Sequence, residues 1–302
     1  MTTPRSILLA RDLVADGYRY SDLTSLSRHG ELRHLRRGAY SRTPEAVDEA
    51  GGHRELVTAT LPLLGPSVVS HLSAAVLHQL PLPAGRLNLV QVTQPGAGSG
   101  RRRGHVHRHA APLQPDEVVE VEGMPVTSLA RTVVDLGRSL PFADAVAVAD
   151  AALRQGLDPD ELGAALARAT RRSGVAAARR VVNFADGRSE SAGESHSRVV
   201  LHALGLAPST LQMEVHGPGG RLLGRCDFAW EEHRTIGEFD GFVKYGRLLR
   251  PGQTVADVVY AEKLREDALR DVGWQVVRWR WSDLQREVLL ADRLTRAFRR
   301  GR

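Results

Sequence analysis

Residues 225–245 read RCDFAWEEHRTIGEFDGFVKY. Two short apolar runs that carry carboxylates are parted by the charged turn Glu231-Glu232-His233-Arg234, which predicts a β-hairpin. Asp227 falls in the first strand, and Glu238 and Asp240 end the second. Strand residues two apart point to one face, so Glu238 and Asp240 project together while Phe239 goes to the other side. Asp227 can join them from the neighbouring strand. Three carboxylates beside Phe228, Trp230, Ile236 and Phe239 are costly to bury unless a cation sits among them. A hard divalent cation held by oxygen ligands would meet that need. The alternative is an exposed acidic hairpin end.

Around the hairpin, a polar break at 186–189 marks a domain boundary, and all four tryptophans (Trp230, Trp274, Trp279, Trp281) lie beyond it. Periodicity predicts a helix over 189–204, strands over 211–216, 222–230 and 235–240, a helix over 256–272, a strand over 274–281 and a closing helix from Asp283. That order, α-β-β-β-α-β-α, implies a mixed sheet flanked by helices. Glu190, Glu194 and Arg198 share one helix face. The helix at 256–272 presents Glu262, Lys263, Glu266 and Asp267, either as a solvated face or as the source of one inward cation.

Composition sets the bounds. With 302 residues, two or three domains are expected, and 42% hydrophobic with 25% charged residues is the balance of a globular protein. The formal charge of +6 and pI of about 10.0 favour a polyanionic partner such as DNA, RNA or anionic lipid. The lone Cys226 excludes an internal disulfide and a zinc finger, and suits a reducing cytoplasm. The first residues hold only a four-residue apolar run (7–10), so neither a signal peptide nor a membrane span is expected. Of the 41 basic residues only Lys244 and Lys263 are lysine, and both fall near the hairpin. Arginine can replace lysine where only charge matters, but not where a compact ammonium is needed.

Upstream, a helix over 5–16, a Ser21-capped helix over 22–29, Gly30, a helix over 31–37 and a strand at 39–41 have the layout of a winged helix-turn-helix. Arg33, Arg36 and Arg37 would offer cations to phosphates or guanine edges, although basic three-helix units also occur that only pack. Two helices (53–64 and 67–80), a strand at 87–93 and a basic loop at 96–104 carrying Arg101, Arg102 and Arg103 follow. His105, His107 and His109 share one strand face. No carboxylate or cysteine in that stretch completes a tetrahedral metal set, so a basic strand near nucleic acid is favoured. Helices beyond Pro125, including 143–153 and 174–184, read as scaffold. The resulting division is 1–60 winged helix-turn-helix, 61–185 helical and β domain, and 186–302 α/β domain.

The carboxy-terminal residues CDFAW, GEFDG and EKLREDALRDVGWQVVRW resemble the strand, acidic strand end and helix-strand signature of the very-short-patch-repair-like branch of the PD-(D/E)xK nuclease superfamily. RRGAY (36–40), SHLSAAVLHQLPL (70–82) and VTSLARTVVDLG (126–137) are similar to the AbiEi-type antitoxin family. The first resemblance implies a restriction-endonuclease-like sheet. It also implies Mg²⁺ or Mn²⁺ held by Asp227 and Glu238 with Asp240 beside them, and Glu194 positioning the attacking water. Asp240 stands where the commonest motif has lysine, which leaves Lys263 as first choice of catalytic cation and Lys244 as second. The function so implied is a DNA endonuclease with a DNA-binding amino-terminal region. The alternative is a non-enzymatic DNA-binding regulator of the antitoxin type with an inactive nuclease-like module. A toxin partner and homodimerisation stay open.

Overall fold

The computed structural model describes residues 7–42, 48–96, 100–241 and 254–301. They form two compact units, 1–140 with 157–182 and 141–156 with 183–302. This differs from the threefold division at 60 and 185. Residues on both sides of position 60 share a unit, and 141–156 joins the second because its helix packs there. Among the described residues no helix is long and apolar enough to cross a membrane.

The first unit opens with β1 (Ile7–Leu9), α1 (Ala10–Ala15) and α2 (Tyr20–Arg28), followed by β2 (Arg33–Arg36) and β3 (Ala39–Ser41). The strands form a sheet in the order β1-β3-β2. The recognition helix expected over 31–37 is therefore a strand. Leu32 and Leu35 have helical spacing, but Gly30 (φ +77°) and Gly38 (φ +85°) adopt left-handed turns at either end. Seven residues between two such turns cannot offset the cost of nucleating a helix. Pairing of β3 with both β1 and β2 satisfies the backbone instead.

Next come α3 (Glu49–Thr60), β4 (Val68–Val69), α4 (His71–Leu77), β5 (Val90–Gln94), β6 (Arg101–Arg103), β7 (Val106–Ala110), β8 (Val118–Val121), β9 (Met124–Thr127) and α5 (Leu129–Gly137). The helix expected over 67–80 is preceded by a strand, because Val69 pairs with Val92 and Val126. The six strands form a mixed sheet, β6-β7-β5-β4-β9-β8, cored by Val57, Val69, Leu77, Val90, Val92 and Val126.

In the second unit, α6 (Phe142–Arg154) brings a buried Ala/Val face, with the buried Asp150 bonded to Arg198 at 2.7 Å. The helices α7 (Pro159–Arg168) and α8 (Val175–Phe184) intervene in the chain. The second unit continues with α9 (Ala192–Ala203), β10 (Thr210–His216), β11 (Leu222–Trp230), β12 (Thr235–Phe239), α10 (Val255–Asp271), β13 (Gln275–Trp279), α11 (Trp281–Leu284) and α12 (Glu287–Arg300). Its sheet runs β10-β11-β12-β13, antiparallel except for the parallel β12–β13 pair that α10 connects. The hairpin turns where expected, at residues 231–234. There Arg234 has φ +45° and lays its guanidinium over Trp274. On one face Phe228, Trp230, Phe239 and Trp279 pack with Leu201 of α9 and with Leu290, Leu294 and Phe298 of α12. On the other, Cys226, Ala229 and Ile236 pack with Leu269 of α10.

Phe239 lies directly on Gly193 of α9, so closely that a Cβ there would overlap its ring. Gly193→Ala is accordingly expected to destabilise the unit by about 1–3 kcal/mol, since a close-packed core resists added volume. Gly163→Ala, on a face of α7 with nothing within 4 Å, should be neutral or stabilising by about 0.5–1 kcal/mol. Urea unfolding midpoints of the two variants compare the effects.

Candidate active site

Asp227 lies just beyond the last β11–β12 backbone pair, Phe228 with Gly237. Its Oδ2 accepts the Phe239 N–H at 2.8 Å and so occupies the place of a ladder carbonyl. The next amide, that of Asp240, donates to the Trp279 carbonyl at 2.9 Å. Asp227 on one strand is thereby fixed beside Glu238 and Asp240 on the other.

Arginines pair with two of the three carboxylates. Glu238, with 12% of its side chain exposed, accepts from Arg265 of α10 at 2.6 Å and lies 3.0 Å from Arg278 of β13. Asp240 pairs with Arg280 at 3.3 Å. Glu238 stands opposite Arg278 in the parallel register, and each partner is followed two residues later by Asp240 and Arg280. Glu262 and Glu266 of α10 also contact Arg278, and Glu262 bonds Arg265 at 2.8 Å. Against the desolvation that would lower it, the hydrogen bond and charge of Glu238 hold the Arg265 guanidinium above its ordinary range. Beneath them, burial and the neighbouring Glu238 push the Cys226 thiol up to about 12, which makes it an inert core residue.

Glu194 is buried in the first turn of α9. Its carboxylate accepts from the Glu190 N–H (2.8 Å), Ser191 Oγ (2.7 Å) and Gln212 Nε2 (2.9 Å). Gln212 was not singled out from the sequence. It sits on β10 between the pairs Leu211–Phe228 and Met213–Cys226, level with Asp227, and it has φ +54°. It thus ties the helix carboxylate to the strand beside Asp227. The only signal in the sequence was an amide within the strand TLQMEVH.

Lys263 is exposed on α10, whereas Arg265 reaches Glu238. Residues two apart on a helix face different ways, so one of the pair turns outward when the other turns in. Lys244 lies outside the described residues.

Among the basic residues expected to meet nucleic acid, Arg33 is bonded to Glu55 of α3 at 2.5 Å and is held within its own unit. Arg36 is half-buried, and burial and the nearby Arg108 lower its pKa. Arg37 is exposed. Arg101, Arg102 and Arg103 form the exposed edge strand β6. His107 and His109 do lie side by side on β7, with ring centroids 4.0 Å apart, while His105 precedes the strand.

No protein-family model matches the chain. Over 184 residues it is 36% identical to the uncharacterized protein Rv2248 of Mycobacterium tuberculosis (strain ATCC 25618 / H37Rv), covering 60% of this chain and 65% of that protein. The uncharacterized protein MT2308 of strain CDC 1551 / Oshkosh is similar to the same extent. The chain thus spans less than two thirds of the length of these relatives, and neither name states an activity.

Proposed function

We propose that the second unit is a metal-dependent DNA endonuclease that hydrolyses a phosphodiester bond, with the basic first unit contributing to DNA binding. The observation that supports this reading is the Asp227 carboxylate on the Phe239 N–H, which sets Asp227 against the neighbouring strand that carries Glu238 and Asp240. Mg²⁺ takes hard oxygen ligands, often one or two carboxylates with several waters, so this donor set suits it or Mn²⁺. Asp227, Glu238 and Asp240 would hold the ion. When bound, it would lower the pKa of the attacking water and neutralise charge on the phosphoryl oxygens. The chain's own groups do the positioning. The Phe239 amide orients Asp227, while Ser191 and Gln212 orient Glu194. Arg280, with 52% of its side chain exposed beside Asp240, offers a guanidinium fork to a phosphate.

A second reading, the non-catalytic DNA-binding regulator, is favoured by one observation. Two arginines already neutralise Glu238, and Lys263 stands exposed.

Cleavage assays separate the two. Asp227→Asn keeps an acceptor for the Phe239 amide but loses the charge, so it should retain the unfolding midpoint while cleavage with Mg²⁺ or Mn²⁺ falls at least ~10²-fold. If the parent protein cuts neither nicked, mismatched, single-stranded nor supercoiled DNA with either ion, the regulator reading replaces the nuclease. Arg265→Met leaves the partly buried Glu238 with Arg278 alone and should cost about 1–3 kcal/mol in urea unfolding. For the first unit, Arg101→Ala with Arg103→Ala should flatten the dependence of log K on log salt by about 1–2, the loss expected for two phosphate contacts. An unchanged slope would remove β6 from the DNA interface.

A further inference from the structure

We infer that the first unit holds a binding pocket for a phosphate monoester, built by His71, His107 and His109 together with Arg138 and Arg172. This inference does not depend on the nuclease reading. Its residues come from stretches far apart in the sequence: the SHLSAA stretch gives His71, and the VVDLG helix, which read as scaffold, gives Asp135 with Arg138 just after it.

His71 stacks on His109 with ring centroids 3.6 Å apart and planes 14° from parallel, and His107 lies 4.0 Å from His109 on the other side. His71 is buried and has φ +52°, a left-handed conformation that costs a non-glycine residue about 1–3 kcal/mol and concentrates at functional sites. Its Nδ1 lies 3.0 Å from Ser70 Oγ, and His109 Nε2 lies 3.2 Å from Gln91 Oε1. Burial pushes His71 down to about 4, with Asp135 opposing the shift and Arg131 and Arg138 adding to it. Burial and the charges of His71 and His107 push His109 down to about 3. At neutral pH both rings are therefore uncharged and do not repel the arginines around them, and His109 places its one N–H on Gln91 Oε1.

The charge around the rings is unbalanced. Two cavities of about 230 and 400 Å³ share His71, His109, Asp135 and Arg138, with Arg172 on the wall of the smaller and His107 on that of the larger, and among the described residues five arginines line them against the one carboxylate Asp135. That carboxylate is already engaged by Arg131 (2.7 Å) and Arg138 (2.8 Å), and Arg131 is further paired with Glu117 (2.9 Å). Arg86, Arg102 and Arg172 remain in excess on the cavity walls. Nη1 of Arg172 is buried and makes no hydrogen bond among the described residues, lying 3.8 Å from Asp135. Burial first, then the charge of Arg131, lowers its pKa, while Asp135 and Glu117 oppose the shift.

Guanidinium groups in excess of carboxylates on a cavity wall are the chemistry that binds a phosphate dianion. A cation is disfavoured by the arginines, and rings stacked face to face do not converge their lone pairs on one point as a tetrahedral metal requires. The larger cavity lies within the range of roughly 300–1,000 Å³ typical of small-ligand sites, which leaves room for a mononucleotide. Such a phosphate could belong to a free nucleotide or to the 5′ end of a DNA strand.

Calorimetric titration of the full chain in EDTA tests this, with orthophosphate, thymidine 5′-monophosphate, thymidine, and 5′-phosphorylated and 5′-hydroxyl oligothymidylate as probes. The expected result is saturable binding of at least one phosphorylated probe, at least tenfold tighter than its unphosphorylated counterpart. Arg172→Gln and His107→Gln should each weaken it at least tenfold with unchanged unfolding midpoints. Preference for the mononucleotide identifies a free nucleotide as the source, and preference for the phosphorylated strand identifies a DNA end. Failure of every phosphorylated probe to saturate, or parental affinity in both variants, would overturn the pocket.

Discussion

A carboxylate on an inner strand has to be met by positive charge, and the arrangement of the second unit around Glu238 follows from that requirement. Arg265 reaches it from α10 and Arg278 from β13, so the helix and the parallel strand it leads into are held against the same group. Glu262 and Glu266 extend the pairing and draw α10 along the sheet. The opposite face is apolar, where Phe239 closes on Gly193 and Trp279 donates its indole N–H to Ser197 at 2.8 Å. The alternation of strand side chains therefore divides the unit into a charged face beside α10 and an aromatic face beside α9 and α12.

In the first unit a comparable constraint acts on Arg131, whose side chain is only 1% exposed. Glu117 and Asp135 neutralise it, and Arg138 shares Asp135. Burial alone would raise the pKa of Asp135. The charges of Arg131 and Arg138 and the hydrogen bond from Arg131 oppose it and hold the carboxyl below its ordinary range. A network of this kind is costly to leave half satisfied, so it fixes α5 against the segment before β8 and presents His71, His109 and Arg172 to the adjoining cavities.

The hairpin of β11 and β12 was legible because its period-two apolar pattern and charged turn are local features, and the α-β-β-β-α-β-α order around it followed from the same periodicities. The segment at 31–37 was not legible. Its leucines have helical spacing, and only pairing with β3, which is itself paired with β1 from more than twenty residues upstream, makes it a strand. The inward-facing cation of α10 was not legible for a related reason. Lys263 and Arg265 are two residues apart, and the sequence does not say which one turns toward the sheet. Gln212 carried no signal beyond being an amide in a strand, since its value lies in meeting Glu194 across the sheet edge.

By itself the sequence determined the element types of the second unit, the position of Asp227, Glu238 and Asp240 on two neighbouring strands and an excess of basic charge. These depend on spacing and composition, which are properties of neighbouring residues. Only the tertiary structure decided that arginines neutralise Glu238 and Asp240, that 141–156 belongs with the carboxy-terminal unit, and that His71, His109 and Asp135 share a pocket. Each of those outcomes depends on charges and rings brought together from distant parts of the chain, where desolvation makes their pairing obligatory.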